Sequence, residues 1–168
     1  MKKIKKQKVS VYGRIHIIVF EKNILGTEYV SEEKLFDNLI VDVGKDSILK
    51  RLGGAGLTLF GESGGIGVGD STQAAGAGDT DLIAGANKLW KDIQTTGKVY
   101  VRPTLFVSVE FGYTEANFTW NEIGLCDDQG TPDNDPADGS SLWARQIDAS
   151  PLVKTDSKRA IVEWQLSL

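Results

Sequence analysis

Cysteine and histidine occur once each in the 168 residues, as Cys126 and His16. A single thiol excludes an internal disulfide and a cysteine-based zinc site, and a single imidazole cannot build a histidine cluster. A Ser/His/Asp triad would have to recruit His16, and "GES" at Gly61 to Ser63 lacks the second glycine of a nucleophile elbow. Long apolar runs are missing as well. None approaches the roughly 20 residues that a membrane-spanning helix needs. The basic N-terminus carries no apolar stretch of the secretory kind, so a soluble protein that does not use that export signal is expected, with no membrane partner. Strand-helix repetition is absent too, which argues against a doubly wound sheet.

The chain is 40% hydrophobic, enough for one domain with a sizeable core. Its formal net charge is −4, yet Lys2, Lys3, Lys5, Lys6 and Lys8 crowd the first eight residues. The chain thus divides into a basic arm over residues 1–8 and a single acidic, β-rich domain over residues 9–168. Such an arm either contacts nucleic acid, lies on an acidic neighbouring subunit, or is a solvated tail. Beyond the arm the aromatics are not interleaved with basic residues, so base stacking has no platform and nucleic acid is not expected as a partner.

Apolar residues at Val9, Val11, Ile15, Ile17 and Val19 alternate with polar ones, the period of a strand with one buried face, which places His16 on the outward face as a surface imidazole. A turn around Asn23 and Gly26 comes next, then the apolar run "KLFDNLIVDVG". "KDSILKRLGG" reads as a short helix over about 46–52, with Asp46 or Ser47 near its start and Gly53 as its stop. Residues 53–79 are glycine-rich and loop-like around one short strand. Thr80 offers an N-cap, and Leu82, Ala86, Leu89 and Ile93 repeat at three- and four-residue steps, so an amphipathic helix is predicted over about 80–95. From Val99 to Phe111 the alternation returns, with Pro103 marking an edge or a bulge. Further strands carry Phe118 and Trp120, "LWARQI", and Ala160, Val162, Trp164, Leu166 and Leu168. The fold class expected is mainly β, an antiparallel β-sandwich-like domain with one amphipathic and one short helix.

Three stretches invite a chemical reading. "GGIGVGDST" at residues 64–72 has the glycine and serine spacing of a phosphate-binding P-loop, but Asp70 stands where the lysine belongs and Gly76 and Gly78 spoil the helix that should come after it. A packing role fits better: Gly65, Gly67 and Gly69 share one strand face, onto which Trp90 or an aromatic from the opposing sheet is expected to pack. Asp133, Asp135 and Asp138 lie in an acidic loop that suggests a cation, calcium being the candidate, although Ala137 and Asp138 break the EF-hand spacing and no glutamate closes it; a solvated insertion is the plainer reading. Glu122, between Trp120 and Ile123 in a strand, is expected to be buried and tied to backbone amides or to an arginine rather than to act as a general acid. No catalytic set and no cofactor emerge.

Five segments in order, "DNLIVDVGKDSILKRLGG", "IGVGDST" with "GDTDLIAG", "VEFGYTEANFTWNEIGLCDD", "LWARQIDASPLVKT" and "AIVEWQLSL", resemble virion proteins of tailed bacteriophages described as tail-fibre or tail-collar-fibre-like. The resemblance spans roughly residues 37–168. It implies structural roles for Asn38, Gly44, Gly67, Gly69, Asn117, Glu122, Gly124, Ala144, Arg145, Lys154 and Thr155, and no catalysis. It further implies a non-enzymatic homo-oligomer, with a trimer favoured, located in the virion and bound to other virion proteins of the tail or capsid. The acidic loop and the basic N-terminus depart from the pattern, and because the sequence stops at Leu168 with no long fibre shaft or receptor-binding tip, an attachment, adaptor or decoration module is expected rather than a receptor-binding one. A capsid decoration protein shares this composition, and a carbohydrate-binding receptor module would need an exposed aromatic such as Tyr113 or Trp143.

Overall fold

The computed structural model describes residues 12–52, 64–101, 103–126 and 142–167. The alternating N-terminal segment forms β1 (Tyr12–Lys22), which buries Ile15, Ile17 and Val19 completely on one face. Asn23 shapes the next turn: its Oδ1 accepts from the amides of Leu25 and Thr27 at 2.9 and 3.0 Å, and Gly26 adopts φ +80°. β2 (Glu28–Asp37) returns along β1. The chain continues through β3 (Leu39–Ile40), α1 (Asp42–Leu52), β4 (Gly65–Gly69), β5 (Lys88–Asp92), a 3₁₀ turn (Thr95–Gly97), β6 (Lys98–Val101), β7 (Thr104–Phe111), β8 (Thr119–Cys126), β9 (Leu142–Val153) and β10 (Lys158–Ser167).

These strands make two five-stranded antiparallel sheets. The front sheet has the order β2-β1-β10-β7-β6 and the back sheet β3-β9-β8-β4-β5. Their facing sides enclose the main core, where Ile17, Val162, Trp164 and Phe111 of the front sheet meet Ile66, Ile123, Leu125 and Trp143 of the back. The mainly β, sandwich-like expectation therefore describes the molecule.

The back sheet is buried on both faces. A second apolar cluster, Val41, Leu82, Trp90, Cys126 and Leu142, lies on its outer side, under α1 and the irregular segment 70–87. This arrangement overturns the helix expected over 80–95. Residues 80–87 form no helix, and Lys88–Asp92 is a strand paired with β4. Leu89 packs on the main core and Trp90 on the outer cluster, so adjacent apolar residues point to opposite sides of one strand. Gly85 and Asn87 interrupt the segment where a helix would have to begin.

Two smaller differences concern boundaries. The short helix begins at Asp42 rather than near residue 46, with Asp42 pairing to Lys45 at 2.8 Å in its first turn. The run from Val99 to Phe111 is a hairpin and not one strand: Val101 faces Thr104, and Pro103 occupies the turn between β6 and β7. The lysine arm and the acidic loop with Asp133, Asp135 and Asp138 lie outside the described residues.

Candidate functional site

The glycines of "GGIGVGDST" build β4, and the segment after them, residues 70–87, contains no helix to present its N-terminus to a phosphate. Asp70 is a tie point instead. Its Oδ2 accepts from Asn87 Nδ2 at 2.7 Å and its carbonyl from Asn121 Nδ2 at 2.6 Å. A Cβ at Gly67 would lie 2.5 Å from Trp90 ring carbons, and one at Gly124 would lie 2.8 Å from the same ring. Gly67 and Gly124 are directly opposite in β4 and β8, so together they form a flat floor for the indole. Trp90 thus packs against Gly67, carried there by β5 rather than by the expected helix, whereas a Cβ at Gly69 would meet Glu122 and Ala84.

Beside this floor sits the most concentrated polar cluster of the described interior. Glu122 on β8 and Arg145 on β9 are both fully buried, and Arg145 Nε donates to Glu122 Oε2 at 2.7 Å. The amides of Ile83 and Ala84 donate to Glu122 Oε2 and Oε1 at 3.1 and 2.7 Å. Arg145 Nη1 donates to Asp79 Oδ2 at 2.8 Å and to the Ala74 carbonyl at 3.3 Å, while Nη2 donates to the Gln73 carbonyl at 2.8 Å. Every nitrogen of the guanidinium and both oxygens of the glutamate are occupied. The cluster therefore straps residues 73–84 over the back sheet, and no part of the pair has surface for a substrate. Glu122 is buried and tied to both amides and an arginine, as its position in the strand indicates.

A second buried cation organises the other end. Lys154, 2% exposed, donates to the carbonyls of Gly112 and Glu115 at 2.7 and 2.9 Å and to Asn117 Oδ1 at 2.9 Å. Burial pulls its ammonium below the usual lysine range, and the nearby Glu115 charge opposes that pull. The loop it holds contains Ala116 at φ 49°, a left-handed conformation that a clamped loop can impose on a residue with a Cβ. Sequence reasoning places Lys154 in the phage-like pattern without seeing this role. A signal was available, because Lys154 stands two residues beyond the apolar Leu152, just past the end of β9.

Gly44 and Asn38 of the phage-like pattern are also packed within the fold. A Cβ at Gly44 would meet the Trp143 carbonyl oxygen at 2.2 Å, so α1 rests directly on β9. Asn38 lies flat against Gly13, and neither of its buried amide atoms has a hydrogen-bond partner among the described residues. His16 sits on the outward face, 2.7 Å from Glu33. Of the two aromatics named for a glycan-binding reading, Trp143 is 2% exposed, whereas Tyr113 is partly exposed, with Lys22 Nζ 4.4 Å from its ring centre and its hydroxyl donating to Glu28 at 2.6 Å.

Two open concavities remain. One of about 850 Å³ at the end of the sandwich is lined by Tyr12, Arg14, Asp37, Asn38, Lys45 and Gln165, and one of about 480 Å³ runs between β2 and β9. Among the described residues no group of acidic, histidine or cysteine side chains is placed to hold a metal ion. No family model matches the chain, and no curated protein or solved structure shows significant similarity to it.

Proposed function

We propose that the protein is a non-enzymatic structural component of a tailed-bacteriophage virion, a tail-fibre-like attachment or adaptor module that assembles as a homo-oligomer. One observation carries the reading. The residues of the ordered, phage-like segments meet one another inside the fold: Asn117 with Lys154, Glu122 with Arg145, and Gly67 with Gly124 beneath Trp90. A pattern whose charged members serve as internal fastenings supports a scaffold role. Binding then proceeds by shape and apolar burial, with the lysine-rich arm crossing onto an acidic neighbour. The partners are further copies of the chain and other virion proteins of the tail or capsid.

The reading is tested by mass spectrometry of gradient-purified particles of the phage that encodes the chain. Peptides of this protein at a fixed ratio to the other virion proteins are expected. Their absence from intact particles, with the protein present in the infected cell, contradicts the proposal.

A further inference from the structure

The turn between β1 and β2 holds two large aliphatic side chains in water. Ile24 is fully exposed and Leu25 is 84% exposed. Turn positions ordinarily carry polar or small residues, as Asn23, Gly26 and Thr27 beside them do. The turn is also firmly fastened. The Asn23 amide donates to the Thr27 carbonyl and the Gly26 amide to the Asn23 carbonyl, each at 2.9 Å, in addition to the two bonds that Asn23 Oδ1 accepts. Glu21 is the last residue of β1 that pairs with β10, so the tip stands clear of the sheet. An apolar tip on a fastened turn has little backbone freedom to lose on binding, which is the property of a preorganised anchor.

The other end of β1 borders the concavity of about 850 Å³, whose wall joins the start of β1, the crossing from β2 to β3, the first turn of α1, the start of β7 and the end of β10. Tyr12 lines it and is 67% exposed, and Leu39 and Ile40 add apolar surface. The volume is in the range that takes a small organic ligand and is ample for two aliphatic side chains. β1 has 11 residues, so at about 3.3 Å per residue the tip and the concavity are separated by roughly 35 Å.

We propose that the β1–β2 tip of one copy seats Ile24 and Leu25 in the concavity at the far end of the next copy, giving a head-to-tail homo-oligomer. This rests on the homo-oligomer reading above and names its contact. Two observations select a second copy as the occupant. Tip and concavity lie at opposite ends of one strand, so each contact leaves a free tip and a free concavity, and the contact repeats until it closes into a ring or continues as a string. Residues 1–11 join the fold at Tyr12, in the wall of the concavity, so an arm that crosses onto a neighbour starts against the copy seated there. Fully extended, those residues reach at most about 35–40 Å, the length of that neighbour's β1. Area agrees with a contact shared by tip and arm. The turn alone falls short of the roughly 800 Å² that each partner of a stable complex buries, and the arm supplies further surface. Arg14 and Lys45 at the concavity are paired with Asp37 and Asp42, and Glu28 beside the tip with Arg159, so apolar burial rather than charge drives the contact.

The test is disulfide trapping of the full chain, with sedimentation velocity beside it. Leu25→Cys and Gln165→Cys put one thiol on the tip and one in the wall of the concavity, while Cys126 is fully buried. Mild oxidation of the two variants mixed is expected to join tip to concavity, and the chain carrying both substitutions is expected to give a ladder of multimers or one closed ring. Ile24→Asp combined with Leu25→Asp, shown to be folded by circular dichroism and thermal unfolding, is expected to weaken self-association about tenfold or more. A native chain that stays monomeric overturns both this contact and the homo-oligomer reading. A native oligomer that the aspartates leave intact, that gives no cross-link between tip and concavity, or that Leu25→Cys alone traps tip against tip overturns the contact and leaves homo-oligomerisation standing. Aspartates that spare the oligomer but abolish docking onto particles lacking the protein overturn the contact and give the tip to another virion protein.

Discussion

Arg145 gathers distant parts of the chain at one buried point, reaching from its own strand to Glu122 on β8 and to Gln73, Ala74 and Asp79 in the irregular segment. Removing one member of a buried ion pair leaves the other charge uncompensated, which costs about 3–5 kcal/mol. Arg145→Met is therefore expected to lose that much in equilibrium urea unfolding, and a loss below about 1 kcal/mol contradicts the strap. Gly67→Ala is expected to cost about 1–3 kcal/mol by driving a methyl into the Trp90 ring. Gly78→Ala, where a Cβ meets nothing within 4 Å, is expected to stay within about 0.5 kcal/mol in the same measurement. Glu28 gives the pH dependence. The Arg159 guanidinium and the Tyr113 hydroxyl, both hydrogen-bonded to it, hold its carboxyl at about 2 in the folded chain against an ordinary 4.5. A depressed folded value means that the contribution is complete above the ordinary value and is lost as pH falls through about 2. The melting temperatures of the native chain and Glu28→Gln should thus differ most above pH 4.5 and converge on acidification; a gap that widens instead contradicts the assignment.

At the scale of elements, what was legible in the sequence depended on how many faces each strand buries. β1 and β10 bury one face, so alternation reveals them, and the pairing of Ile17 with Val162 agrees with the pattern. β5 buries both faces. Its Leu89 and Trp90 join Leu82 and Ile93 in a spacing that imitates a helix, and only Gly85 and Asn87 argue otherwise. Glu122 was legible as a paired buried acid because an ionised group between Trp120 and Ile123 needs a partner. That the partner is Arg145 was not, since the register of β8 on β9 shifts between Trp120 and Glu122 and sets Arg145 opposite Gly124. The Lys154 clamp lay half within reach, its burial implied by Leu152 but its acceptors scattered over the loop at Gly112–Asn117. Lys154→Met is expected to raise amide exchange across residues 112–118 by more than about tenfold while β10 keeps its protection. Equal loss of protection in both elements would show that Lys154 supports the whole sheet rather than this loop.

For the whole molecule, the two sheets differ in what they leave free. The outer face of the back sheet is closed by α1 and the strapped segment 70–87, whereas the front sheet ends in β2 and β6, which have no strand on their outer sides among the described residues. In the proposed oligomer the lysines of residues 1–8 would lie on the acidic body of a neighbouring copy. Removing residues 1–8 is expected to weaken docking of the purified protein onto particles lacking it, read by co-sedimentation, and unchanged docking sinks the arm's role. The most direct measurement of the structural-module account is a cryo-electron microscopy map of the intact phage particle into which this fold is placed. The account predicts symmetric copies of the sandwich on the tail. A particle map with no density for this fold contradicts it, and copies distributed over the head move the protein to the decoration reading.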